Sequence, residues 1–397
     1  MQKKFINNFY HHIKKIFFFP REKLRFLLFD KRRLVVKFSS KKISQQKKIL
    51  IDEIQSKNFL LIENFIKKRN RIYLIDLFKY LKRDNCKKVV YIYIYSYLVN
   101  LNEYQLANDY QNYLCKKINK NSFFYFQISS LNSKNISEFI KYSKTIKFSI
   151  IYNFLLYESE KNFIKTILKV DNQKVNNYNL NFLDINYQKY IQDKEIKIIG
   201  PLENNVYIKK KELKKSLIIR FKNNNFLKKK DLQPNIIYLN GTATREAIKK
   251  KNYLIKKINL IWIVFIQKNF YQQFSKRNDL NYRFANNCSA FLFNCFTELN
   301  LLQKVLLDLF LFNSKKIKIY NFDIRLSKNT KIGYGIYNTK KKQKKIKMSF
   351  LHNQIVMYDF LNYFFYKNKI TLDKRLAKII RLGKVNYLNK LEKTWKK

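Results

Sequence analysis

Residues 197–201 read KIIGP, a short apolar run that ends in Gly200-Pro201. Such a run is typical of a buried strand that breaks into a phosphate-facing loop. The stretch that follows, LENNVYIKKKELKK (202–215), is rich in lysine and contains no further glycine to let the backbone approach a phosphate closely. The pattern therefore predicts either a nucleotide site or the architecture of one in a protein with another role.

Charge dominates the rest of the chain. Its 397 residues carry 83 Lys and Arg against 27 Asp and Glu, a formal net charge of +56. Such a charge calls for a polyanionic partner. Because the basic residues are spread over nearly every segment, RNA is favoured over an anionic membrane, for which the charge would be concentrated in one patch or tail. A/T-rich codons also favour Lys, Asn, Ile, Phe and Tyr, so genome composition accounts for part of the lysine, although not for the scarcity of acids.

The basic residues occur in an amino-terminal arm and in three lysine tracts. The arm, residues 1–50, has 15 Lys and Arg against Glu22 and Asp30, with aromatic residues interleaved in FFFPREKLRFLLF (17–29). Basic and aromatic residues together can neutralise phosphates and stack on splayed bases, while the same aromatics can dock the arm on a core. The predicted RNA contacts are Lys14, Lys15, Arg21, Lys23, Arg25, Arg32, Arg33, Lys209, Lys210, Lys211, Lys228, Lys229, Lys230, Lys340, Lys341 and Lys342.

Several protein classes fit the sequence poorly. The four cysteines form no CxxC pair, so we expect no metal site, and reduced thiols suit a matrix-like compartment. No apolar stretch approaches the roughly 18 residues of a membrane span. The basic N-terminus resembles a transit peptide, but the A/T-rich composition is typical of an organelle genome, or of a parasite or small endosymbiont, and an organelle-encoded protein needs no presequence. These features predict a protein of the mitochondrial matrix.

The distribution of glycine divides the chain near residue 195. All five glycines lie at or after Gly200, and the first 199 residues hold one proline, Pro20. Helical hairpins tolerate a lack of glycine better than sheets with tight turns do. Apolar residues at three- and four-residue spacing in 51–70, 97–121 and 136–170 predict an all-α, hairpin- or repeat-like region over 51–190. No fixed period extends over three units, so whether the helices form a true repeat stays open.

After residue 195 the pattern changes to short apolar runs. These are IKIIG (196–200), SLIIRF (216–221), NIIYLN (235–240), INLIWIVFI (258–266) and KIKIY (316–320), with a helix-length apolar segment at 291–312. Strands separated by helix-length segments predict an α/β domain over 195–395 with a mostly parallel sheet.

Four stretches in this half resemble the sialyltransferase-like glycosyltransferases (glycosyltransferase family 29). They are KIIGP (197–201), SLIIRFKN with LQPNIIYLNG (216–241), the segment 288–324 ending in NFDI, and FLHNQ with 369–393. The resemblance implies a Rossmann-like fold and a CMP-sugar donor. It also implies a pocket whose remnant comprises Gly200, Pro201, Arg220, Asn240, Gly241, Ser289, Asp323 and Tyr334, with His352 as the general base if the protein is active.

The departures from that family bear on activity. The turn before the second motif reads ANNCSA (285–290) without glycine, Asn321 replaces the glycine of a Gly-Phe-Asp triplet, and Glu203 faces the expected phosphate position. For Arg220 we expect a pairing with an internal carboxylate. We therefore expect neither catalysis nor a cofactor.

Two main classes of function result, beside a third for which no specific feature speaks, a basic peripheral subunit of another organellar complex. The first is a non-catalytic structural component of a mitochondrial ribosome, contacting ribosomal RNA and neighbouring ribosomal proteins without forming a homo-oligomer. The alternative is an active glycosyltransferase that uses a CMP-sugar donor. The distinguishing features are charge balance and a glycine-bearing donor loop, both of which the enzyme would normally possess.

Overall fold

The structure is a computed structural model. It describes residues 101–118, 180–200, 216–221, 234–240, 260–266, 281–285, 299–312, 314, 316–326 and 353–395, together with scattered helical positions between 63 and 99 and at 165–166. The basic arm, most of the predicted helical region and the three lysine tracts lie outside these residues. Helix α1, Tyr104–Lys117, falls within one of the segments predicted to be helical.

A seven-stranded parallel sheet organises the carboxyl-terminal half. Its strands are β1 (Glu195–Ile199), β2 (Ser216–Phe221), β3 (Ile236–Leu239), β4 (Trp262–Phe265), β5 (Asn281–Phe284), β6 (Lys316–Tyr320) and β7 (Thr371–Leu372). All six pairings are parallel. The predicted α/β class with a mostly parallel sheet is thus confirmed for the described residues, and five of the seven strands overlap the apolar runs identified from the sequence.

Strand order is β5-β4-β3-β2-β1-β6-β7. The chain therefore builds the sheet outward from β1 in one direction as far as β5, and then returns to place β6 on the other side of β1. Glu195 of β1 lies in register with Ser216 of β2 and with Lys316 of β6. The order of strands reverses between β1 and β6, and in open parallel sheets a crevice for ligands forms beyond the carboxyl ends of the strands at that point.

The helices are α2 (Phe182–Ile191), α3 (Leu301–Leu311), α4 (Gln354–Tyr366), α5 (Lys374–Arg381) and α6 (Lys384–Trp395). Asparagine caps begin three of them, α2, α3 and α4, and two of these caps, Asn181 and Asn300, each form a reciprocal capping box with the residue three positions on. Buried apolar residues from all the named helices join one cluster with alternate strand residues such as Ile198, Ile219 and Ile319. That face of the sheet holds the main core.

The opposite face of β3, β4 and β5 carries a second, smaller cluster, which includes Ile237, Phe265 and Tyr282. Because side chains of a strand alternate between faces, strands that are buried on both sides read as continuous apolar runs. WIVF and IIYL are runs of this kind. No helix within the described segments is long and apolar enough to cross a membrane.

Candidate functional site

The candidate site is the crevice at the carboxyl ends of β1 and β6. Gly200 follows β1, and its amide donates a 2.8 Å hydrogen bond to the carbonyl of Tyr320 at the end of β6. A Cβ atom on Gly200 would lie 2.6 Å from two ring carbons of Phe322 and would also meet the Asn321 carbonyl. Glycine is required here because another part of the same chain approaches the backbone, which leaves no space for a phosphate beside its Cα.

Phe322 fills this crevice from the side of β6. Its side chain is buried, and its ring packs edge-on against Phe221 at the end of β2, with ring centroids 5.7 Å apart. The aromatic pair therefore spans the carboxyl ends of β2, β1 and β6. An apolar plug occupies the position where the fold would place a ligand.

The residues after β6 form a turn with an unusual backbone. Asn321, Ile324 and Arg325 all have positive φ, at 59°, 47° and 63°. Leu326 donates its amide to the carbonyl of Asp323 at 3.1 Å, so positive φ at both central residues gives the turn a type I′ character. Asparagine tolerates the left-handed region, which explains why Asn321 can replace a glycine. A β-branched Ile324 in that region is strained.

Side chains from the carboxyl-terminal helices hold this turn in place. The Tyr387 hydroxyl donates to the Ile324 carbonyl at 2.9 Å, and the Trp395 indole Nε1 donates to the Arg325 carbonyl at 2.9 Å. The buried Asp323 carboxylate accepts from the Arg325 amide at 3.0 Å and contacts Arg375 Nη2 at 3.4 Å. The strained conformation persists because these hydrogen bonds hold the backbone of the turn in place from several sides.

Asp373 occupies the position that an anionic ligand would take in such a fold. It caps α5, with Oδ1 accepting the Leu376 amide at 2.8 Å, while Oδ2 accepts the Asn321 amide at 2.7 Å. Backbone amides at the start of a helix and at the carboxyl edge of a sheet are the usual donors to phosphate. Here an internal carboxylate already satisfies them, and its charge would repel a phosphate.

Arg220 lies near the end of β2, on the face of the sheet opposite the main core. It is half-buried, its Nε is buried without a hydrogen-bond partner, and burial lowers the pKa of its guanidinium to about 10. The carboxylate pairing expected for Arg220 is not formed within the part of the chain that the structure describes. Among the described residues of the crevice region, Arg220 is the feature best suited to an incoming anion.

The structure brings together three of the residues predicted for the pocket. Gly200, Arg220 and Asp323 lie at the carboxyl ends of the adjacent strands β1, β2 and β6, whereas Asn240 follows β3, two strands from β1. Asp323 is fully buried, and its carboxylate is engaged by the Arg325 amide of its own turn and by Arg375 of α5. The remaining predicted residues, Pro201, Gly241, Ser289, Tyr334 and His352, lie outside the described residues, as do all sixteen predicted RNA contacts.

Sequence reasoning missed a buried charged network beneath the sheet. Arg283 of β5 donates to Asp184 of α2 from Nε at 3.0 Å and from Nη2 at 2.8 Å. It also pairs with Asp308 of α3 through Nη1 at 2.5 Å. Tyr238 of β3 donates its hydroxyl to the same Asp308 at 2.6 Å, and the hydroxyls of Tyr238 and Tyr187 lie 2.9 Å apart.

Electrostatics inside this network follow from its burial. Burial alone would lower the pKa of Arg283, but the adjacent Asp308, assisted by Asp184, raises it above its usual value. Burial, together with Asp308, raises the pKa of both Tyr187 and Tyr238. The guanidinium also lies over the rings of Tyr187 and Phe312, 4.6 Å and 4.7 Å from their centroids.

The network joins α2, α3, β3 and β5, and its role is structural. Its sequence signal was Asp308, a lone acid within the apolar run LLQKVLLDLFLF.

The surface of the described residues is strongly unbalanced in charge. Exposed acids are few there: Asp109 and Asp193 are exposed, the Asp76 side chain is partly exposed beside Lys79, and most of the other acids lie in caps, networks and turns. Two basic residues among the described ones are buried, namely Arg283 in the network and Lys197 in β1, whose ammonium donates to the Ser216 hydroxyl at 3.0 Å. The exposed basic residues are Lys67, Lys68, Lys79, Lys116, Lys117, Lys189, Lys194, Lys316, Lys367, Lys374, Arg375, Lys378, Arg381, Lys390 and Lys393.

Comparisons of the chain with protein-family models, with curated proteins and with solved structures gave no match. The crevice and the charged surface are therefore the features that bear on function. Among the described residues, no group of three or more His, Cys, Asp or Glu side chains could hold a metal ion.

Proposed function

We propose that this protein is a non-catalytic structural component of a mitochondrial ribosome, and that it binds ribosomal RNA through basic surfaces, arms and loops. The observation that carries the proposal is the segregation of charge. Acids such as Asp184, Asp308 and Asp323 are engaged in the interior, while the exposed charges of the described residues are almost entirely lysine and arginine. Genome composition alone would not sort the two signs between interior and surface.

The closed crevice supports the non-catalytic part of the proposal. Phe322 lies against Gly200, and the Asp373 carboxylate takes up the amides that would bind a phosphate. A nucleotide-sugar donor would require both groups to move. A nucleotide-binding architecture with such a crevice serves as a scaffold for surfaces that bind elsewhere.

The distribution of the protein in a native lysate of its organelle tests the proposal. The lysate is sedimented on a sucrose gradient with and without ribonuclease, and the chain is followed by mass spectrometry. We expect it to migrate with a ribosomal subunit and to leave that fraction after ribonuclease treatment. Recovery at the top of the gradient in both samples would overturn the ribosomal assignment.

Salt dependence tests the electrostatic part separately. Neutralising Z phosphates releases counterions, so the logarithm of the binding constant falls by about 0.7 Z to 0.9 Z for each tenfold rise in salt. Full-length protein is titrated with a fluorescent ribosomal RNA fragment at several salt concentrations. An affinity that barely changes between low and physiological salt would contradict binding through phosphates.

Arg220 favours a second candidate function, binding of a nucleotide or a CMP-sugar at the sheet edge. Its buried, unpartnered Nε and its lowered pKa are what an anion site provides before its ligand arrives. Calorimetry with CMP and with a CMP-sugar, on wild-type protein and on Arg220→Met, decides this. Binding that is lost in the variant would revive the glycosyltransferase hypothesis, whereas no heat in either protein would exclude it.

A further inference from the structure

We infer that the adjoining ends of α4 and α5 form a surface that binds unpaired RNA, with Tyr366 stacking on a base and α5 contacting the backbone. This inference rests on the proposed function and assigns it a place in the described structure. The surface, called the stacking surface below, consists of Phe365, Tyr366, Lys374, Lys378 and Arg381.

Its location follows from the topology. Helix α4 ends at Tyr366, shortly before β7 begins, and α5 starts after β7 and runs back to end at Arg381. The end of α4 and the end of α5 therefore lie at the amino end of β7, on the side of the sheet away from the crevice, while Lys374 begins α5 next to Asp373 at the carboxyl end of β7. The Arg381 guanidinium carbon is 6.0 Å from the centroid of the Phe365 ring, which joins the two helix ends directly.

Tyr366 is the exposed residue of α4, whose other residues are buried or half-buried. The Tyr366 side chain is 63% exposed, and its ring meets the half-buried Phe365 edge-on at 5.4 Å between centroids. Phe365 holds the Tyr366 ring from one side and leaves another side open to solvent. An aromatic ring fixed in this way provides a face for a nucleobase, and such stacking tolerates any base because every base has a π-face.

The basic part is a stripe along α5. Lys374, Lys378 and Arg381 are all exposed, and their spacing of four and three residues puts them on one side of the helix. With a rise of 1.5 Å per residue, the stripe is about 10 Å long. Arg381 and Lys378 also complement the negative end of the helix dipole, but Lys374 lies at the positive end, where the dipole opposes it. Helix stability therefore does not explain the whole stripe.

Charge complementarity identifies the occupant as a phosphodiester. The acids of residues 353–395 are Asp359, Asp373 and Glu392, and none of them is exposed. Asp359 pairs with Lys384 at 2.7 Å, Asp373 caps α5, and Glu392 accepts the Gln105 amide at 2.8 Å. Neither Lys378 nor Arg381 forms an ion pair with another described residue. A stacking ring beside phosphate-binding cations fits a single strand, since the bases of a duplex are already stacked on each other.

The test compares variants of the full-length protein by fluorescence anisotropy with a uridine-rich single strand of about 12 nucleotides. We expect Tyr366→Ala to weaken binding about fivefold or more, and Tyr366→Phe to retain it because the ring is kept. The double variant Lys378→Gln/Arg381→Gln should lower the magnitude of the salt slope by about 1.4, the value for two phosphate contacts on a single strand. Thermal unfolding midpoints check that these exposed substitutions leave the fold intact.

Phe182→Ala is the matched control, because Phe182 is an aromatic residue of similar exposure, 73%, at the start of α2. This helix pairs with β5, the outer strand farthest from β7. Equal losses in Phe182→Ala and Tyr366→Ala would overturn the assignment of the surface. Wild-type binding that the Tyr366 and α5 variants leave unchanged would overturn this inference and leave the proposed function standing. Absence of salt-dependent binding by the wild type would overturn both. If Tyr366→Ala weakened binding to a duplex of the same length as much as it weakened binding to the single strand, the assignment of unpaired RNA would be overturned.

Discussion

Gly200 and the ring of Phe322 lie so close together at the carboxyl ends of β1 and β6 that no side chain fits between them. An added Cβ would lie 2.6 Å from two carbons of that ring, with the Asn321 carbonyl close by. The Gly200 amide is at the same time bonded to the Tyr320 carbonyl. The glycine that suggested a phosphate loop is thus an internal packing position at the point where the strand order reverses.

Gly200→Ala should destabilise the protein. The methyl group meets a backbone carbonyl as well as an aromatic ring, and the backbone of Asn321 is fixed by the pairing of β6 with β1 and by Asp373. Overpacking of this kind costs about 1 to 3 kcal/mol of unfolding free energy. Urea denaturation of the variant and the wild type measures the difference.

Two further variants make this result specific. Phe322→Leu added to Gly200→Ala should restore part of the loss, because it removes the ring but leaves the carbonyl contact. Gly383→Ala strains a residue at φ 81° without any neighbour within 4 Å, so it reports backbone strain without overpacking. Wild-type stability of Gly200→Ala would mean that the crevice has room, and a ligand there would again be credible.

The sequence predicted much of the sheet because buried parallel strands are continuous apolar runs. IKIIG, SLIIRF, NIIYLN, INLIWIVFI and KIKIY correspond to β1, β2, β3, β4 and β6. It did not predict β5, since NYRF carries a buried arginine whose partners, Asp184 and Asp308, are distant in sequence. It did not predict β7 either, because two residues of ladder give no periodicity.

The site was less predictable than the fold, for a physical reason. Gly200, Arg220 and Asp323 lie at one edge of the sheet because the carboxyl ends of parallel strands meet there. Whether that edge is open depends on the ring of Phe322 and on the Asp373 carboxylate, more than 100 residues further along the chain. Among the described residues, the buried arginine–carboxylate pairing expected at Arg220 occurs at a different arginine, in β5, because residue type does not reveal which arginine a distant acid reaches.

Arg283→Met should be among the most damaging single substitutions of the described residues. It leaves Asp184 and Asp308 buried without their cation, and breaking a buried pair in this way costs about 3 to 5 kcal/mol. The free energy of unfolding in urea measures the loss. A loss below about 1 kcal/mol would mean that water or another donor reaches the two carboxylates.

A triple variant separates the cost of the unpaired acids from the worth of the network. In Arg283→Met/Asp184→Asn/Asp308→Leu, no buried charge is left alone, and the new side-chain amide can still accept the cap bond that the Asp184 carboxylate accepts from the Asn181 backbone. The hydroxyls of Tyr187 and Tyr238 still have each other at 2.9 Å. We expect the triple variant to be more stable than Arg283→Met alone, and the opposite order would show that the network is itself strongly stabilising.

Arg220→Met should stabilise the protein at pH 8, because it removes a half-buried cation whose Nε lacks a partner. The expected gain is about 1 kcal/mol, the lower end of the cost of an unsatisfied buried donor. Burial lowers the pKa of Arg220 in the folded state to about 10, below its unfolded value of 12.5. As the pH rises through about 10, the folded chain loses this proton before the unfolded chain does, so wild-type stability rises relative to the variant.

Urea unfolding of the wild type and Arg220→Met at pH 8 and at pH 10 measures both effects, because groups common to the two proteins cancel in the difference. The gain should shrink between the two pH values. Arg381→Met, at an exposed position, should show neither a gain nor a pH dependence. A gain that is the same at both pH values would show that Arg220 keeps its proton and that its pKa is not lowered.

Arg325→Gly should stabilise the turn after β6. Arg325 has φ 63°, and its carbonyl accepts the Trp395 indole hydrogen bond, which the carbonyl of a glycine would accept equally well. A left-handed residue other than glycine or asparagine costs about 1 to 2 kcal/mol. Glycine avoids this cost, but the greater backbone entropy that it gives the unfolded chain offsets part of the gain. We expect a net gain of about 0.5 to 1 kcal/mol in urea unfolding.

Asn368→Gly is the matched control for this prediction, since Asn368 has φ 54° in an exposed turn and asparagine already tolerates that region. Its substitution should change stability little or lower it. If Arg325→Gly were destabilising while Asn368→Gly were neutral, the arginine side chain itself would be holding the turn. The positive φ values of Asn321, Ile324 and Arg325 would then be maintained by a side-chain contact of Arg325, and the hydrogen bonds from Tyr387 and Trp395 would not suffice to hold the strained backbone.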